Sequence, residues 1–153
     1  MNRQTYGIVS LLLIVAAVIT ATYTILQSSM IWTVIYLVGI LLSCLVIFFS
    51  FCAKCPSRDK DCSHVIPGMF IRFFPRREEG PYTLRDKLGV VVPLVFMIVF
   101  PQYWLLAQPA YFLMFATLCL GAAAVIQFYV CKGCTNCYCP FFQGQGQGAC
   151  GKK

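Results

Sequence analysis

The chain has 153 residues, of which 59% are hydrophobic and 11% charged, and its formal net charge is +7. An ordinary soluble domain carries roughly 45–50% apolar and about 25% charged residues, so this composition excludes one and indicates a lipid environment. The basic balance does not call for nucleic acid, and none is expected as a partner, because basic loops also orient proteins in membranes.

Four apolar runs, at about 6–26, 31–51, 88–106 and 109–130, contain no Asp, Glu, Lys, Arg or His. A helix rising 1.5 Å per residue needs ~20 residues to cross a ~30 Å hydrocarbon layer, and in lipid its backbone must satisfy its own hydrogen bonds. The prediction is an all-α integral membrane protein with four transmembrane helices in one domain, 1–153. The first run follows Arg3, as in a secretory signal, but it exceeds the ~7–15 residues of a signal's apolar region and is expected to stay.

Only residues 27–30 separate the first two runs, and 107–108 the last two. Links that short force antiparallel hairpins. The second run closes on "FFSFCAKC" and the fourth on "FYVCKGC", so each hairpin ends in C-x2-C, a weak internal repeat that suggests a pseudo-twofold arrangement.

Between the hairpins lies a polar insert, 52–87. "CPSRDKDCSH" adds Cys62 and His64 to Cys52 and Cys55, giving C-x2-C-x6-C-x-H. "VIPGMFIRFFPRR", 65–77, interleaves large apolar side chains with cations, suited to the interface with lipid phosphates or to packing on the bundle. Thr83 is the expected N-cap of the third helix, with Asp86 completing an acidic capping box. Pro93 and Pro101 in the third run predict a kink there. Trp32, Tyr103, Trp104 and Tyr111 are expected near the face opposite the insert, where aromatic rings favour the headgroup layer.

All 12 basic residues fall in the N-terminal segment, the insert and the tail, and none in the short links. By the positive-inside rule both termini and the insert face the cytoplasm, which places the chain in a cytoplasmic membrane. Eight of the ten cysteines then lie just outside the apolar runs on that reducing side. There, paired cysteines point to metal or redox chemistry and not to structural disulfides.

Cys52, Cys55, Cys62, His64, Cys131, Cys134, Cys137 and Cys139 are eight candidate ligands, enough for two tetrahedral sites. Spacing leaves open whether each site is local or shared; the repeat suggests Cys52 and Cys55 facing Cys131 and Cys134. Zinc is the first expectation, because it accepts thiolate and imidazole together. Acylation would make Cys52, Cys55 and Cys131 lipid anchors, but it does not explain so many regularly paired thiols. Cys44 and Cys119, inside the runs, read as small packing residues. Cys150 follows "GQGQG" and is left out of the sites.

In the tail, Cys131, Cys134, Cys137, Cys139 and Pro140 form a run that resembles the bacterial ferredoxin pattern C-x2-C-x2-C-x3-C-P, with one residue instead of three at the last spacing. The resemblance spans ten residues, implies an iron–sulfur cluster as the alternative cofactor, and implies no fold. The four spans with a cysteine-rich cytoplasmic loop also look like membrane palmitoyltransferases of the Asp-His-His-Cys type. Their defining stretch is absent and "KDCSH", 60–64, does not supply it, so the chain is not assigned to them.

No charged group sits within the apolar runs to relay protons, no second histidine is present for a bis-imidazole haem, and no phosphate-binding glycine loop occurs. No catalytic residue is assigned. The expected role is a structural or interaction subunit, in contact with the bilayer and another protein at the cytoplasmic face; homo-oligomerisation is compatible with it. The alternatives are iron–sulfur electron transfer between a soluble donor and a membrane partner or quinone, and soft-metal handling.

Overall fold

The computed structural model describes residues 3–55, 75, 77–78 and 80–131. Regular structure among them is entirely helical. Helix α1 (Arg3–Leu26) leads to α2 (Met30–Ser50), which passes into a single 3₁₀ turn, Cys52–Lys54. Then come α3 (Leu84–Val99), the one-turn α4 (Gln102–Leu105), α5 (Pro109–Val125) and a closing π turn, Ile126–Val130. The stretches Gln4–Leu26, Met30–Lys54, Leu84–Leu105 and Pro109–Val130 are each long and apolar enough to cross a bilayer. Their outer surfaces agree with that reading. Leu12, Ile19, Leu41 and Leu120 are each more than 60% exposed, and lipid covers such surfaces without the cost water would impose.

The helix ends follow from local chemistry. After α1, the backbone N–H groups of Ser28 and Ser29 both donate to Ile25 O, at 3.0 and 2.9 Å, and Ser29 turns extended to start α2. Helix α3 starts four residues before the apolar run. There Thr83 Oγ1 accepts the Asp86 N–H at 3.4 Å and Asp86 Oδ2 accepts the Thr83 N–H at 3.0 Å, which is the expected capping box. Pro109 occupies the first turn of α5, where a missing N–H costs nothing.

The two internal prolines behave differently. Pro93 sits within α3 without interrupting it. At Phe100 and Pro101 the helix is broken, although both residues keep right-handed helical angles. A proline cannot donate to the carbonyl four residues back, here Met97 O. Tyr36 of α2, fully buried, fills the gap: its hydroxyl donates to Met97 O at 3.2 Å.

Packing is most extensive between α1 and α5 and between α2 and α3, and lighter between α1 and α2. Ala17, Ala21 and Ile25 of α1 share the core cluster with Tyr36, Leu105 and Phe115. On the α2–α3 side two glycines permit contact: a Cβ on Gly39 would overlap the Phe96 ring, and one on Gly89 would overlap Ser50. Hydroxyls within the spans mostly return to their own helix. Ser10 donates to Gly7 O at 2.9 Å, Thr20 to Ala16 O at 2.9 Å and Thr24 to Ala21 O at 2.8 Å, so these polar groups are satisfied before the helices meet. Among the described residues Thr22 Oγ1 is buried without a hydrogen bond, and nothing around it explains why.

Trp32, Trp104 and Tyr103 do cluster, with ring centroids 6.0 Å apart for Trp32–Trp104 and 5.3 Å for Tyr103–Trp104, while Tyr111 packs on Tyr23 at 5.7 Å. Close by, Gln108 Nε2 donates to Gln27 Oε1 at 3.1 Å, tying the two short links together.

Candidate functional site

Of the predicted ligands, Cys52, Cys55 and Cys131 lie among the described residues; Cys62, His64, Cys134, Cys137 and Cys139 lie outside them. Cys52 opens the 3₁₀ turn and Cys55 closes it, with the Cys55 N–H donating to Cys52 O at 3.2 Å. In 3₁₀ geometry residues i and i+3 eclipse, so the two Cβ positions stand on one side of the chain. Both side chains are half-buried.

The last carbonyls of a helix lack intrahelical donors, and an end leaving lipid must find them elsewhere. Here they come from the far end of the insert. Arg77 Nη1 reaches Phe49 O at 3.4 Å, the Tyr82 hydroxyl donates to Phe51 O at 3.4 Å, and the Arg77 backbone N–H donates to Ala53 O at 3.2 Å. Phe51 and Tyr82 stack with centroids 4.2 Å apart, and the Arg77 guanidinium lies 5.3 Å from the Phe49 ring.

Asp86 joins these parts. It is 2% exposed, and its carboxylate accepts from Arg77 Nη1 at 2.9 Å, Lys54 Nζ at 3.1 Å, Thr83 N at 3.0 Å and Thr83 Oγ1 at 2.9 Å. Lys54 Nζ also donates to Pro81 O at 2.8 Å. Burying a lone carboxylate costs several kcal/mol, and two cations with two further donors are what make this position tolerable. Two cations against one carboxylate leave net positive charge beside the negative C-terminal end of α2. Lys54 is also the residue directly before Cys55 in the turn.

The second cysteine motif begins differently. The Cys131 N–H donates to Ile126 O, the five-residue reach of a π turn, and π turns often mark functional positions. Tyr129, two residues before Cys131, stacks on Tyr6 of α1 with centroids 4.5 Å apart. Each C-x2-C motif thus begins just past an aromatic stack that pins its helix end to a neighbouring helix start. Cys44 and Cys119 carry free, half-buried thiols within α2 and α5, and Cys119 packs on the core cluster, as expected of packing residues.

Among the described residues no three of His, Cys, Asp and Glu come together to hold an ion. Cys52 and Cys55 share a turn, and the arrangement that would set them against Cys131 also needs Cys134, which lies outside the described residues. Sequence reasoning read Asp86 only as a cap and missed its bonds to Lys54 and Arg77. The available signal was that Asp86 precedes buried Pro93 by seven residues, on the same face of α3.

At the far end of the bundle, a crevice of about 400 Å³ is lined by Thr24, Ser28, Tyr103, Trp104, Ala107 and Gln108, without an ionisable acid or base apart from the tyrosine phenol. It offers no arrangement for proton transfer or metal ligation. No protein family, curated protein or solved structure matches the chain, so the functional reading rests on the cysteine-bearing end itself.

Proposed function

We propose that the chain is a small tetraspan protein of a cytoplasmic membrane, built of two helical hairpins. Two thiolate metal sites organise its cytoplasmic face, and it serves as a structural or interaction subunit for another protein. The observation that carries this reading is the Cys52–Cys55 turn. Its thiols sit at a helix end whose backbone is fixed from outside by Arg77, Tyr82 and Asp86. A metal ligand pair on a fixed backbone needs little ordering when the ion binds, which favours a closed structural site.

Cys52, Cys55, Cys62 and His64 form the first ligand set; Cys131, Cys134, Cys137 and Cys139 form the second. Zinc suits the first because it mixes thiolate and imidazole. Each ion stiffens the chain leaving its helix, and the two together present a rigid basic platform. The distribution of all 12 basic residues away from the short links supports the cytoplasmic orientation.

Elemental analysis of the intact protein, isolated without oxygen, tests the reading. Colourless protein with about two zinc ions per chain is expected, one per four-ligand site. Brown protein with iron and acid-labile sulfide would replace the zinc platform by the electron carrier to which the tail's spacing points, and metal-free protein would remove both. An impermeant thiol reagent added to intact cells is expected to leave Cys150 unlabelled; rapid labelling overturns the orientation.

A further inference from the structure

We propose that the Cys52–Cys55 turn is by itself a preorganised dithiol grip for a soft, thiophilic ion, and that Asp86 is its positioning residue although it binds no ion. The inference rests on the reading of these two thiols as ligands. It adds a remote lever and a minimal binding unit.

The residue between the thiols on the sequence side of Cys55 is Lys54, and its ammonium is held at both Asp86 Oδ2, 3.1 Å, and Pro81 O, 2.8 Å. Within the turn, Ala53 is 2% exposed and its carbonyl accepts the Arg77 N–H, while Arg77 is itself held by Asp86 Oδ1 at 2.9 Å. The carbonyl preceding the turn, Phe51 O, is taken by Tyr82. Unwinding the turn to separate the two sulfurs therefore breaks the Tyr82 bond together with bonds of Lys54 and Arg77, both of which are held by one buried carboxylate of α3. A two-sulfur ligand pays for catching an ion mainly in lost freedom of its two side chains and the chain between them, and here that chain is already held. Residues that orient ligands without touching the ion typically change affinity by about 10–100-fold when removed.

Phenylarsine oxide is a suitable probe, because its trivalent arsenic forms two As–S bonds with a close dithiol and releases its oxygen as water with the two thiol protons. The full-length chain, reduced and stripped of metal in detergent, is titrated with the arsenical. Remaining thiols are trapped with N-ethylmaleimide, and Cys52 and Cys55 are read by peptide mass mapping. In the unaltered chain both thiols are expected to become protected together at the lowest arsenical concentrations. Asp86→Asn, which keeps the size of the side chain and removes its charge, is expected to raise the concentration needed by about tenfold.

Lys54→Met, which keeps an apolar stem of similar length, is expected to shift protection in the same direction and gives a second reading if the Asn variant does not fold. Tyr36→Phe, which weakens the bundle away from the turn, is expected to leave protection unchanged; an equal shift there would show a general loss of stability and overturn the positioning role. Unshifted protection in both clamp variants overturns it as well, and independent modification of Cys52 and Cys55 in the unaltered chain overturns the dithiol grip. Metal-free protein in the elemental analysis, with arsenical capture intact, would remove the proposed function alone.

Discussion

Helices α1 and α5 meet through small residues and self-satisfied hydroxyls, whereas α2 and α3 are joined by the Tyr36 bond to Met97 O, by Asp86 of α3 holding Lys54 of the turn that follows α2, and by contacts at two glycines. Both pairs face the same problem. Lipid tails are as apolar as leucine, so helices gain nothing from merely hiding apolar surface from one another. The first pair relies on close van der Waals approach. The second carries defects, a proline that orphans Met97 O and a helix end that orphans three carbonyls, and its polar side chains sit at those defects. Polar ties between helices appear here where a backbone group lacks a partner.

The contrast breaks most readily at Asp86. Asp86→Ala leaves Lys54 and Arg77 without their carboxylate and removes the α3 cap, and a loss on the order of 3 kcal/mol is expected in reversible unfolding in detergent. A loss under about 1 kcal/mol would mean that the pair behaves as an exposed one. Next in size come the glycines. Gly89→Ala forces a methyl into Ser50 and is expected to cost about 1–3 kcal/mol, as overpacking does. Gly121→Ala meets only Leu13 Cδ1 at an ordinary 3.7 Å and should fall within about 0.5 kcal/mol of zero. Equal effects at the two sites would erase the distinction between the pairs.

Tyr36→Phe is expected to cost about 1 kcal/mol, the scale of hydrogen bonds between membrane helices. Its cost should largely vanish in a Pro101→Ala background, where a backbone N–H returns to Met97 O, and additivity in that double-mutant cycle would refute the compensation. The smallest effect belongs to Gln108→Ala. Its bond to Gln27 is exposed, and less than about 0.5 kcal/mol is expected, since surface substitutions rarely exceed that.

The spans were legible because twenty uncharged apolar residues admit few other structures, and the Thr83 cap because Thr-x-x-Asp is a local device. The same cap set the start of α3: Leu84, Arg85, Asp86 and Lys87 belong to the insert by composition, yet with Thr83 as N-cap they form the first turn. The break at Pro101 was half legible: the ring dictates a missing bond, but only a partner helix decides that Tyr36 supplies a replacement. Cys52 and Cys55 were visible as a pair. Their anchorage was not, since Arg77 and Asp86 hold Ala53 O and Lys54, the residues between the two cysteines, across a long stretch of chain, and nothing in a run such as "PRREEG" marks Arg77 for that role.

The backbone bond from Arg77 N to Ala53 O closes the chain on itself at the bundle's edge. Whatever polypeptide is strung between those two points enters and leaves through one gate, so its length is decoupled from the geometry of the spans. Doubling such an insertion adds only about 0.6 kcal/mol of closure entropy, which makes this the position where the chain can be elaborated, or a reporter grafted, without disturbing the helices.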